Sequence, residues 1–154
     1  MLHGYQHAPD AFTTTAEERA DAPLSWWVKR IADPHGLGMA FGAFADGQLV
    51  GTVALEFFSK PKTKHKTHLI GMYVLETSRG QGLGRQLMNA AMAYTQERPD
   101  LTVATLTVTE GNEPAIALYE AAGFRIFGTE PMAIRTPAGY KAKVHMWKAL
   151  AAAA

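Results

Sequence analysis

The densest grouping of residues suited to chemistry is Met72-Tyr73-Val74-Leu75-Glu76-Thr77-Ser78-Arg79-Gly80-Gln81-Gly82-Leu83-Gly84-Arg85. A strand-like apolar run ends, a basic residue and alternating glycines follow, and apolar residues at helical spacing begin. At a helix N-terminus several backbone N–H groups lack intrahelical partners and the dipole is positive, so such a turn attracts phosphate oxygens. Glycine at 80, 82 and 84 lets the main chain approach an anion with no side chain in the way. The order differs from the dinucleotide fingerprint G-x-G-x-x-G, and no Lys-Ser or Lys-Thr pair follows to make a nucleotide P-loop. Taken alone, the turn is as readily a tight strand-to-helix connection that binds nothing.

A second grouping lies further along, Asn112-Glu113-Pro114-Ala115-Ile116-Ala117-Leu118-Tyr119-Glu120-Ala121-Ala122-Gly123-Phe124. Asn112 is a good N-cap, Pro114 sits in the first turn and Gly123 just past the end, the usual punctuation of a short helix. On residue type alone Tyr119 is a half-buried aromatic of that helix. Together, the two groupings say more. Arg79-x-x-Gly82-x-Gly84, directly after a strand, is similar to the acyl-CoA signature R/Q-x-x-G-x-G/A of the GNAT superfamily of N-acyltransferases. Asn112 to Phe124 resembles that superfamily's second signature, N-x-x-A-x-x-x-Y-x-x-x-G-F.

The resemblance covers roughly Met39 to Leu150 and implies an α/β fold. Its centre is a mixed, mostly antiparallel sheet flanked by helices, with two parallel strands that splay apart to admit a pantetheine arm. By position those strands are the one ending at Val74 and Leu101 to Thr109. The resemblance also implies acetyl-CoA as co-substrate. Met72, Tyr73 and Val74 would offer backbone groups to thioester and pantetheine, and Arg79, Gly80, Gln81, Gly82, Leu83, Gly84 and Arg85 would cradle the pyrophosphate. Asn112 would bond the pantetheine arm, and Tyr119 would donate a proton to the leaving thiolate.

Direct transfer needs a neutral amine, hence a base or water relay; Glu56, His68, Glu110 and Glu130 are the candidates. In superfamily members that acetylate ribosomal-protein N-termini a carboxylate stands five residues before the motif Asn, where this chain has Thr107. The acceptor amine therefore stays unidentified. Two other readings compete with an enzyme: an acyl-CoA-binding regulatory module without turnover, and an interaction domain whose glycine turn binds nothing.

The elements that must position these residues can be followed from the N-terminus. Thr15 to Ala32 has helical spacing, with Leu24, Trp26, Trp27 and Ile31 on a stripe and a break at Pro23. Met39 to Ala45 and Leu49 to Phe58 flank Asp46-Gly47-Gln48, whose Asp-Gly suits a tight hairpin. Thr67 to Val74 is a third strand, Gly82 to Arg98 an amphipathic helix with Leu83, Leu87, Ala90, Ala91 and Tyr94 in one stripe, and Leu101 to Thr109 a β-branched strand reached by that helical crossover. Phe124 to Thr129 and Lys143 to Leu150 complete the sheet, joined by a loop holding Pro137 and Gly139. Superfamily members usually begin with a strand and a helix, for which Met1 to Ala11 is too short. The expectation is a missing first strand and an open sheet edge, covered by a partner chain or a second copy in a homodimer.

The 154 residues suffice for one domain, taken here as 1–150, with an alanine tail at 151–154 that frays. A net charge of +1 gives no global field of the kind nucleic-acid or membrane binders use. The absence of cysteine removes thiolate chemistry and fits a reducing, cytoplasmic setting. The sequence shows neither a signal peptide nor a membrane span. Lys60, Lys62, Lys64, His65, Lys66 and His68 invite a phosphate-binding claim, but about eight strand residues, about 25 Å, separate that end from the glycine turn. A solvated hairpin fits them better, with an acidic substrate or partner second. The six histidines have no metal-ligand spacing, and the seven methionines read as core fillers.

Overall fold

Alternation along the second strand decides which side of the sheet is the core. Val53, Leu55 and Phe57 are buried, while Ala54 and Glu56 point to the other face. The computed structural model describes residues 1–150, so the alanine tail lies outside the described residues. Its helices are α1 Leu2–His7, α2 Ala16–Ala20, α3 Leu24–Ile31, α4 Leu83–Gln96 and α5 Glu113–Ala121. Its strands are β1 Gly38–Ala45, β2 Gln48–Phe57, β3 Lys66–Val74, β4 Val103–Thr109, β5 Arg125–Thr136 and β6 Gly139–Ala149.

The strands form one sheet in the order β1-β2-β3-β4-β6-β5. Every neighbouring pair is antiparallel except β3 and β4, which the α4 crossover makes parallel. Leu87, Met88 and Ala91 of α4 pack on the core face against Val53, Leu55, Leu69, Leu106 and Met146. Asp46 and Gly47, both at positive φ, turn β1 into β2 as expected of Asp-Gly. No helix among the described residues is long and apolar enough to cross a membrane.

Two expectations need correction. The span from Thr15 to Ala32 breaks at Pro23, as expected, into α2, with a Thr15–Glu18 capping box, and α3. Leu24 and Ile31, expected on its buried stripe, are 77% and 63% exposed. The loop expected around Pro137 and Gly139 is instead a tight hairpin between two long strands, Thr136 pairing with Gly139. Met132, at φ 52°, and the register shift between Glu130 and Ile134 interrupt the alternation, so no period-two signal marks β5 as one strand. Before β1 the described residues hold helices and no strand. Met1 to Ala11 supplies α1, whose Gly4 and Tyr5 are buried.

Candidate active site

The parallel ladder between β3 and β4 runs only from Lys66↔Val103 to Leu69↔Leu106. Beyond that point the strands separate, as expected of a splay between Val74 and Thr109. A bulge helps to open it. Between its register with Ala54 at Ile70 and with Thr52 at Tyr73, β3 holds an extra residue, and Gly71 takes φ 64° there. The Thr52 hydroxyl donates to the Gly71 carbonyl at 2.9 Å and pins the bulge to β2.

At the C-terminal end of β3 the chain passes through a 3₁₀ turn, Glu76–Ser78, into the glycine turn. Gly80 and Gly82 both have φ 77°, a region costly for other residues, and Gly82 is the N-cap of α4 with no side chain capping it. The first α4 bond runs from Gln86 N–H to the Gly82 carbonyl at 3.1 Å. The N–H groups of residues 80–85 therefore have no partner among the described residues. This is a row of donors at the positive end of a helix, beside the splay.

Arg79 packs differently from a free phosphate arm. Its Nε donates to the Val74 carbonyl at 3.1 Å and its guanidinium lies 5.8 Å from the Tyr73 ring centroid. The arginine thus ties the turn to β3 and occupies one of the backbone groups expected to face pantetheine, while half of its side chain stays exposed. Gly84 also departs from expectation. Its ideal Cβ would come within 3.2 Å of Leu118 Cδ2, so this glycine lets α4 approach α5 rather than leaving room for an anion. Gln81 and Arg85 are exposed on the turn, with Leu83 half-buried behind them.

Asn112 caps α5, its Oδ1 accepting from Ala115 N–H at 3.4 Å, and borders a pocket against Thr109 and residues 7–11. Tyr119, 6% exposed, packs edge-on against Phe124 with ring centroids 6.4 Å apart. Its hydroxyl forms no hydrogen bond to the described residues. It is not sealed in either, because Arg19 Nε is the only buried, unpartnered side-chain polar atom among them. The hydroxyl opens on a cleft of about 210 Å³ whose lining includes Glu56, His68, Met72, Thr107, Tyr119 and Lys143. Burial pushes the Tyr119 phenol up to about 12.

Of the expected bases, Glu56 and His68 reach this cleft. Glu130 instead pairs with His145 Nε2 at 3.1 Å, and Glu110 borders the pocket beside Asn112. Thr107 does line the cleft, so the position at which some superfamily members carry a carboxylate belongs to the site here as a hydroxyl.

The wall opposite β3 and β4, which the N-terminal segment builds, has no signal in the sequence. Gly4 packs on the Tyr73 ring, the Asp10 carbonyl accepts from Thr109 Oγ1 at 2.6 Å, Lys141 pairs with the Asp10 carboxylate, and Lys143 Nζ donates to Thr13 Oγ1 at 2.6 Å. Tyr5, Phe12 and Thr14 join the lining.

The model of the acetyltransferase (GNAT) family matches residues 3–124. The chain belongs to that family. A mycothiol acetyltransferase of Rhodococcus jostii is 35% identical over 125 residues, 79% of this chain and 39% of that protein. The chain thus spans about two-fifths of that relative. Among solved structures, a ribosomal-protein-alanine N-acetyltransferase from Brucella melitensis superposes with a TM-score of 0.78 at 25% identity, covering 97% of this chain and 91% of the other. A spermidine N-acetyltransferase from Vibrio cholerae, solved with CoA and spermine, shares the fold with a TM-score of 0.81 at 19% identity over 99% and 89% of the two chains.

Proposed function

We propose that residues 1–150 form a single domain that transfers an acetyl group from acetyl-CoA to a primary amine by direct attack. The observation that carries this reading is the row of unpartnered N–H groups at residues 80–85, placed where β3 and β4 part and lead to the Tyr119 cleft. In it the main chain of Gly80, Gln81, Gly82, Leu83, Gly84 and Arg85 holds the pyrophosphate, with the exposed part of Arg79 beside it. Met72 and Tyr73 border the pantetheine slot with Val74, and Asn112 closes it from α5. Family membership and the CoA bound by the Vibrio relative support acetyl-CoA as the co-substrate.

The phenol of Tyr119 contributes as a hydrogen-bond donor. Moving its proton from a group at about 12 to a thiolate of ordinary basicity, near 8.5, costs about 5 kcal/mol. A bond to the developing thiolate, without complete transfer, avoids that cost. The relatives' names span mycothiol, ribosomal-protein alanine and spermidine, so the acceptor is left at the level of a primary amine. A cytoplasmic setting fits the chain's lack of cysteine. Thiol release from acetyl-CoA that requires an added amine, followed across an amine panel, tests the reading. A rise in melting temperature with acetyl-CoA but no turnover would make the protein a regulatory binding module instead.

Self-association as a homodimer is part of the same proposal. Among the described residues the outer edge of β1 pairs only through an isolated bridge, Ala32↔Met39, and Ile31, Phe44 and Leu49 are exposed on or near the β1 side of the sheet. Light scattering is expected to give twice the chain mass. A monomer at high concentration would contradict it.

A further inference from the structure

We propose that His68 is the general base of this site and that Thr105 fixes its tautomer so that Nε2 is the nitrogen free to take the proton. The inference rests on the acetyl-transfer reading above. His68 stands on β3 at the last turns of the ladder before the splay, half-buried, and lines the same cleft as Tyr119. Its Nδ1 lies 2.8 Å from Thr105 Oγ1, on the paired residue of β4. The Thr105 hydroxyl also lies 3.3 Å from the Thr67 carbonyl, to which it donates.

Those two contacts settle the direction of the hydrogen bond. Thr105 has one hydroxyl proton, and the Thr67 carbonyl can only accept. Both contacts are satisfied together only when Nδ1–H donates to Thr105 Oγ1, which leaves Nε2 with a lone pair. Neutral imidazole in water favours the opposite tautomer, so the threonine is a positioning residue with a specific task.

The titratable and charged groups around the ring or lining its cleft are Glu56 on β2, Lys66 on β3, Lys143 and His145 on β6, Arg30 on α3, Tyr119 on α5, and Met1, with its amino group, and Tyr5 of the N-terminal segment. Burial chiefly, then Lys143, His145 and Lys66, hold the imidazole below its ordinary value of 6.5. At neutral pH it is therefore unprotonated and ready to accept. Glu56, the cross-strand neighbour of His68, is exposed at the rim of the cleft, and its carboxylate has no hydrogen bond among the described residues that would aim it. As the amine nitrogen bonds to the thioester carbon, its proton passes to His68 Nε2. The carbon–sulfur bond then breaks, and the thiolate, held by the Tyr119 hydroxyl, takes a proton from water. The imidazolium returns its proton to solvent.

Two measurements test the proposal. Nitrogen–proton correlation spectra of the imidazole in the wild-type protein are expected to show Nδ1–H and an unprotonated Nε2 at neutral pH; an Nε2–H tautomer overturns the proposal even if no variant folds. In kinetics, kcat/KM for the amine is expected to fall on an acid limb centred below pH 6.5. His68→Gln should lower turnover about 10²-fold, abolish that limb and keep the acetyl-CoA-dependent rise in melting temperature. Thr105→Val should shift the ring toward Nε2–H and lower kcat with acetyl-CoA affinity unchanged, and Thr105→Ser should restore both. Persistence of the limb in His68→Gln, or its loss in Glu56→Gln, assigns the base elsewhere while leaving acetyl transfer intact. Absence of acetylation with every amine refutes the transfer reading and the base with it.

Discussion

Gly82→Val is expected to abolish acetyl-CoA binding while leaving the fold in place. In the wild type, acetyl-CoA at 100 times its dissociation constant adds about 2.7 kcal/mol to stability and raises the melting temperature accordingly. Gly82 holds φ 77° as the N-cap of α4, and a Cβ there meets no atom within 4 Å. The effect of valine is therefore conformational. A β-branched residue at positive φ is strongly disfavoured, and relaxation out of that region turns the N–H groups of residues 80–85 away from a common point. Gly84→Ala provides the control. Its φ is ordinary and the added methyl meets only the end of the Leu118 side chain, which can move by a few tenths of an ångström. That variant is expected to keep the acetyl-CoA-dependent shift. Differential scanning fluorimetry on both reads the outcome; a full shift in a folded Gly82→Val would move the anion site off the turn.

Tyr119→Phe is expected to lower turnover about 10- to 100-fold with acetyl-CoA affinity and melting temperature nearly unchanged. The expectation follows from the burial of the ring and the openness of its hydroxyl to the cleft. A hydrogen bond to a charged partner contributes about 1.5–3 kcal/mol, and lost only from the rate-determining state it appears in kcat. Tyr119→Ala removes the ring as well, deprives Phe124 of its edge-on neighbour and should cost about 3–5 kcal/mol of stability. Steady-state thiol release and melting curves on the two variants separate the roles. Wild-type turnover in Tyr119→Phe would make the residue a core aromatic and assign thiolate stabilisation to another donor.

The parts of the site legible in the sequence are those built from local signals. The strand, the glycine turn and α4 announce themselves through an apolar run, positive-φ residues and a three-to-four spacing, and the Asn112 cap and Gly123 punctuate α5 in the same way. The lysine segment between β2 and β3 also lies at the opposite end of β3 from the glycine turn, as strand length required. The role of Gly84 was not legible, because a glycine needed for helix packing looks the same in sequence as one needed for a ligand, and only the nearness of Leu118 distinguishes them. The wall of the cleft was hidden for another reason. It rests on contacts between Asp10 and Thr109 and between Thr13 and Lys143, pairs of polar residues far apart in the chain that leave no periodic trace. Pairing across strands, which sets His68 against Thr105 and draws Glu130 to His145, leaves no trace in the sequence either.

The most direct test of acetyl transfer is to quantify, in one reaction, the thiol released from acetyl-CoA and the acetylated amine formed, by thiol titration and mass spectrometry of the same sample. Equal amounts of the two products are expected, both dependent on the added amine and both strongly reduced in Tyr119→Phe. Thiol release without acetylated amine, or neither product with any amine while acetyl-CoA still stabilises the protein, would contradict it.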